Sequence, residues 1–146
     1  MKICNMWSKT RIILASILLA VLILSIIGVM HTRDTYTYSI EELESIFNLY
    51  SLRANDVYHI PQEILTTSIN SNDFISFSTG KTLREDLYKA IGTPHASCGS
   101  GLIADVYFTS DRYLIFVYYQ YGKISESIRV DLKTNAKEWN FIKQTG

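Results

Sequence analysis

Residues 102–132 read LIADVYFTSDRYLIFVYYQYGKISESIRVDL, and over this stretch the apolar residues recur with a period of two. Val106 and Phe108 alternate with Asp105, Tyr107 and Thr109, and Ser110-Asp111-Arg112 supplies a tight turn. Tyr113 to Tyr119 then runs almost without a polar residue, as expected of a strand with neighbours on both sides. Gly122 makes the next turn, and Lys123 to Leu132 alternates again, with Ile124, Ile128, Val130 and Leu132 on one face. Glu126 interrupts that face, which predicts a bulge or an edge position. The stretch is a three-stranded antiparallel meander.

Upstream the period becomes helical. Ser39 and Glu42 have capping-box spacing, and Ile40, Leu43, Ile46, Phe47 and Tyr50 form an apolar stripe, predicting an amphipathic helix over 40–52. Residues 53–58 are polar and turn-like, and Pro61 predicts one or two helical turns over 62–69. Asn70 to Asp73 breaks that segment, and Phe74, Ile75 and Phe77 suggest a short strand.

Thr82 and Glu85 predict a second capping box, and Leu83, Leu87, Ala90 and Ile91 a second buried stripe, with Arg84, Glu85 and Lys89 facing water and the helix ending at Gly92 and Pro94. Downstream of the meander, Trp139, Phe141 and Ile142 are too apolar for a free tail and predict a last short strand. Together these elements predict an α+β domain of two layers, both helices packed on one face of an antiparallel sheet.

In order, these features are a Gly-Lys-Thr helix start at 80–82, a short helix ending Ile91-Gly92-Thr93-Pro94, a Gly-Ser-Gly loop at 99–101, an aromatic strand, a turn at Asp111 and a second long strand. The pattern resembles the small β-lactamase-inhibitor-protein-like modules, seen also in the outer-membrane assembly lipoprotein family SmpA/OmlA. It is closer still to secreted or membrane-anchored bacterial proteins with a Gly-x-Pro-His then Gly-Ser-Gly-Leu pattern, here Gly92, Pro94, His95 and Gly99 to Leu102. The resemblance covers about residues 75–132 and departs at Ser110-Asp111-Arg112, where Asp-Gly is usual. It implies a binding or scaffolding unit with helices on one sheet face.

The N-terminal third has a different character. Residues 12–30 carry no charge and are broken only by Ser16, Ser25 and Gly28. As a helix they would span roughly 28 Å, the thickness of a bilayer's hydrocarbon core. Lys2, Lys9 and Arg11 precede the run, whereas only His31 and Arg33, offset by Asp34, follow it closely. The positive-inside bias then places residues 1–11 in the cytoplasm, a transmembrane helix at 12–30 and residues 31–146 outside, in a single-pass protein of the inner (plasma) membrane. A cleaved secretory signal is the alternative, although Val29 to Thr32 offer no small-x-small cleavage site. Ser25 and Gly28, three apart, could also pack against another membrane helix.

Charge and cysteine content narrow the function. The whole chain has fourteen basic and fourteen acidic residues, but four of the basic ones lie in residues 1–33, so the remainder carries about −4. That argues against nucleic acid and against docking on anionic lipid headgroups, both of which want a basic patch. Cys4 and Cys98 fall on opposite sides of the expected membrane, so no internal disulfide is available, and Cys98 is buried, paired with a partner or reactive. Ser78-Thr-Gly-Lys-Thr82 has the tail of a phosphate-binding loop but Ile75 where its first glycine belongs, so no nucleotide is expected. His31, His59, His95 and Cys98 lack paired ligand spacing, and Glu41, Glu42 and Glu44 read as a solvated helix face, so neither metal nor cofactor is expected.

Two candidate sites remain. Tyr107, Tyr113 and Tyr119 share one sheet face, and if that face is uncovered they form a tyrosine-rich contact surface for another envelope protein. His95 and Cys98, between Pro94 and two glycines, could instead make a reactive loop, with histidine as base and cysteine as nucleophile. The leading expectation is a membrane-anchored, extracytoplasmic protein-binding or scaffolding module without catalysis. A thiol enzyme or redox-active protein centred on Cys98 is the alternative.

Overall fold

The computed structural model describes residues 33–143. In chain order these form β1 (Tyr36–Tyr38), α1 (Ile40–Tyr50), β2 (Arg53–Ala54), β3 (Leu65–Thr67), a 3-10 helix (Ser71–Phe74), α2 (Arg84–Ile91), β4 (Ala96–Cys98), β5 (Ala104–Phe108), β6 (Tyr113–Gln120), β7 (Lys123–Asp131) and β8 (Lys137–Trp139). Six strands make one antiparallel sheet in the order β2-β4-β5-β6-β7-β8, and β1 pairs with β3 in a separate two-stranded ribbon.

Alternation along the central strands sends side chains into two cores, one on each face. Val106 and Phe108 of β5, Leu114 and Phe116 of β6, and Ile128 and Val130 of β7 pack with Leu43, Ile46 and Phe47 of α1 and with Tyr38, Ile60 and Leu65. On the opposite face Tyr107, Ile115, Val117 and Ile124 pack with Phe74, Leu87 of α2, Phe141 and Ile142. This corrects the expected two-layer α+β arrangement. The described chain is mostly a six-stranded sheet with only two α-helices, and those helices lie on opposite faces. The physical reason is supply of apolar cover: Leu87, Phe74 and the C-terminal Phe141-Ile142 pair are enough to close the second face.

A register shift between Tyr118 and Tyr119 settles the break noted at Glu126. Tyr118 lies opposite Glu126 but Tyr119 opposite Ile124, leaving Ser125 as the extra residue of a bulge. Ile124 therefore points into the second core while Ile128 and Val130 point into the first, so the four apolar residues of β7 and its end do not share a face.

Local elements also depart from expectation. Residues 62–69, read as helical, contain β3, because Leu65 to Thr67 finds a partner in Tyr36 to Tyr38. Phe74 closes a 3-10 helix rather than a strand; Asn70 caps that helix and Asp73 bonds back to the Asn70 N–H at 2.9 Å. The second capping box does not form. Thr82 Oγ1 accepts from the Ser78 N–H at 2.9 Å, and α2 begins after Leu83, which makes no side-chain cap bond. The Thr82 carbonyl accepts from Ile124 N–H and Arg84 N–H donates to the Gly122 carbonyl, so the start of α2 is strapped to the β6–β7 hairpin. At α1 the Ser39 side chain accepts from Glu42 N–H at 3.2 Å, the first half of the expected capping box, while the Glu42 carboxylate turns to Arg112 and Tyr36.

Among the described residues no helix is long and apolar enough to cross a membrane. The single-pass membrane location is corrected on that finding. The run 12–30 that carried the expectation, together with Cys4 and residues 1–11, lies outside the described residues.

Candidate functional site

Helix α1 is too short to cover the whole of its sheet face. It ends at Tyr50, where Ser51 takes a left-handed conformation (φ 52°) and its N–H turns back to the carbonyls of Asn48 and Phe47. Beyond that end a cleft of about 220 Å³ opens over β6 and β7. Phe116, Ile128 and Val130 line its floor, and Tyr50, Cys98, Tyr118, Lys137 and Trp139 its walls.

The cleft is shaped by contacts already made. Tyr50 packs its ring 5.9 Å from Phe116 and donates its hydroxyl to Asn135 Oδ1 at 3.2 Å. The Cys98 thiol donates to the Tyr50 carbonyl at 3.3 Å, tying strand β4 to the helix end. Burial raises the ionisation of both Tyr50 and Tyr118 above the ordinary tyrosine range, so both hydroxyls stay neutral at the cleft. Among the described residues Lys137 is the only charged one lining the cleft, and Trp139 leaves 59% of its surface exposed beside it.

The opposite face carries a polar cluster. Asp105 is 2% exposed, and Arg84 Nη2 and Nε donate to its two oxygens at 2.6 and 3.0 Å. Tyr88, one turn along α2, donates its hydroxyl to Asp105 Oδ2 at 2.7 Å. The Arg84 guanidinium also lies 5.0 Å from the centre of the Tyr119 ring, a cation–π arrangement. A shallow cavity of about 200 Å³ adjoins Arg84, Tyr88, Thr93, Pro94, Ser97 and Asp105. Its charges are mutually neutralised, so the cluster clamps α2 to β5 and leaves no net charge to draw a ligand.

The tyrosine candidates fall here. Tyr107, Tyr113 and Tyr119 do share a face, but α2, the 3-10 helix and the C-terminal segment cover it. Tyr107 is fully buried and donates its hydroxyl to the Gly92 carbonyl at 3.2 Å. Tyr113 is half-buried beneath the Arg129 guanidinium, 4.9 Å from the ring centre. Tyr119 is half-buried, with its hydroxyl sequestered near the Asp105 carboxylate but in no hydrogen bond of normal geometry. The expectation of an uncovered tyrosine surface is corrected on these positions.

His95 and Cys98 are not brought together as a nucleophile and its base. His95 is buried, its Nδ1 accepts from the Phe108 N–H at 3.0 Å, and its ring packs 4.7 Å from Tyr58. Burial pushes its ionisation down to about 4, so the ring is neutral and its Nδ1 lone pair is engaged by backbone. Cys98 faces the cleft instead. Among the described residues no group of three or more histidine, cysteine or carboxylate side chains could hold a metal ion.

Sequence reasoning missed the cleft because its walls come from four separated segments. The signal was present in the spacing of Lys137 and Trp139, two apart on the last strand and so on one face. The polar cluster on the other face had its own signal in Asp105, a lone carboxylate inside an apolar strand, which demands a cationic partner.

No family model, no curated protein and no solved structure matches this chain.

Proposed function

We propose that this chain is a protein-binding module that holds one apolar side chain of its partner in the cleft bounded by Tyr50, Cys98, Tyr118, Lys137 and Trp139. The cleft itself carries the reading: about 220 Å³ of space over an apolar floor, with a single charge at its rim. A void of about 150 Å³ with aliphatic and aromatic walls already takes a benzene ring. Sites for cofactors and drug-sized ligands run from about 300 Å³ upward. The space therefore fits a side chain. The engaged, neutral His95 leaves the thiol-enzyme alternative without its base.

The test uses benzyl alcohol as a probe on the full chain carrying Trp7→Phe and Cys4→Ser, so that Trp139 and Cys98 are its sole tryptophan and cysteine. Titration is expected to shift Trp139 emission and to slow alkylation of Cys98 by N-ethylmaleimide at least threefold, with both effects lost in Tyr118→Ala. An unchanged emission and an unchanged alkylation rate up to millimolar probe would overturn the reading.

A further inference from the structure

Strand β8 is one edge of the six-stranded sheet, and its pairing with β7 leaves an uncommitted row of backbone groups. Ile128 lies opposite Trp139, Arg129 opposite Glu138 and Val130 opposite Lys137. The flanking bonds, Asp131 N–H to the Ala136 carbonyl at 2.9 Å and Asn140 N–H to the Ser127 carbonyl at 2.7 Å, fix the alternation. Antiparallel neighbours exchange bonds at every second pair, so Glu138 bonds inward to Arg129. Lys137 and Trp139 then turn their N–H and C=O outward, and among the described residues neither backbone takes a partner. These are also the two β8 residues whose side chains wall the cleft.

We infer that β8 takes an extended segment of a partner protein as a seventh strand, which seats one aromatic or long aliphatic side chain in the cleft and sets an acidic residue, two positions away, against Lys137. This rests on the binding reading above and deepens it. Strand addition draws affinity from main-chain bonds and specificity from pockets for alternate side chains, and β8 offers both on the same residues. Lys137, the only charged residue among the described ones that line the cleft, selects the acidic neighbour by complementarity. A second copy of this chain fits less well. Pairing two β8 strands about a two-fold axis through Glu138 sets Lys137 against Trp139 but places the two Glu138 carboxylates directly opposite, a destabilising pair.

The experiment uses the acetylated, amidated hexapeptide Thr-Asp-Thr-Phe-Thr-Asp, whose phenylalanine and aspartates share one face of a strand. Titration into the isotope-labelled full chain should shift and protect the amides of Lys137 and Trp139. Replacing the phenylalanine by glycine, or both aspartates by lysine, should weaken binding at least fivefold. N-methylation separates a ladder from a side-chain contact. Methyl groups on the second and fourth amides should weaken binding at least tenfold, with less than a twofold effect on the third and fifth. The reverse pattern marks a parallel strand and equally supports the inference. Equal loss from both sets, or from neither, overturns it. Benzyl alcohol binding without peptide binding also overturns it while the cleft reading stands, and failure of both probes overturns both. Dimerisation of the full chain with burial of the Lys137 and Trp139 amides would assign the edge to a second copy and likewise overturn the inference.

Discussion

Arg84 grips Asp105 with two nitrogens across the gap between α2 and β5, at 2.6 and 3.0 Å, twenty-one residues apart in sequence. Asp105 is almost wholly buried while the Arg84 side chain stays 47% exposed, so the two partners are not equivalent. Removing the arginine strands a carboxylate in the interior, whereas removing the carboxylate frees an arginine that can reach water. Arg84→Ala is expected to destabilise the fold by about 2 kcal/mol, discounted from the fully buried case because of the arginine's exposure. The Asp105→Asn substitution should cost less. Urea unfolding of both variants checks the order, and a larger loss for Asp105→Asn would refute the clamp.

Acid should weaken the fold through His95. Burial lowers its ionisation from 6.5 to about 4, so the unfolded chain takes up the proton first as pH falls. The stabilisation is complete above about pH 6.5 and is lost as pH drops toward about 4, amounting to about 3 kcal/mol across that window. The His95→Asn substitution can keep an acceptor for the Phe108 N–H while removing the titration. Its unfolding free energy should lose about 3 kcal/mol less than the parent's between pH 7 and pH 4. Equal losses in parent and variant would show that His95 does not carry the acid response.

Two glycines in one loop should respond differently to a methyl group. A Cβ on Gly99 would meet the Leu102 carbonyl oxygen at 2.3 Å, and its φ of 106° is one that side chains rarely adopt. At Gly101 no atom lies within 4 Å. Gly99→Ala is expected to cost at least about 2 kcal/mol and Gly101→Ala less than about 0.5 kcal/mol. Thermal unfolding of the pair decides it.

Tyr119 should be improved by losing its hydroxyl. That group is buried with no hydrogen bond of normal geometry, and burial together with the close approach of the Asp105 carboxylate pushes its ionisation far above the ordinary range. Tyr119→Phe removes the desolvated oxygen and keeps the ring under Arg84, so stability should rise by about 1 kcal/mol. A loss of similar size would mean that the hydroxyl is bonded in solution.

Local chemistry was legible in the sequence wherever near neighbours decide the outcome. Ser39 and Glu42 announce the start of α1, and strict alternation places Val106 and Phe108 on one face and Tyr107 on the other. Trp139, Phe141 and Ile142 announce that the end of the chain is packed. What alternation could not convey is which face a helix covers, because the apolar stripes containing Leu43 and Leu87 look alike in isolation. The same limit hid β3, whose partner strand lies 29 residues upstream. It hid the cleft as well, since Tyr50, Cys98, Phe116 and Trp139 meet only after the sheet has formed.

The bulge at Ser125 has a consequence for how this chain can change length. With both sheet faces packed, a single-residue deletion in the regular ladder from Glu126 to Val130 would exchange the surroundings of every side chain on one side of the cut, whereas loss of the bulge residue Ser125 leaves Tyr118 opposite Glu126 and Tyr119 opposite Ile124 and keeps both faces as they are. Strand β7 can therefore lose a single residue only at its bulge, and elsewhere gains or loses residues in twos. Single insertions belong in the segments between the strands, such as Leu132 to Ala136, so any natural length variation in this protein should concentrate in its turns and at the bulge and leave both cores unaltered.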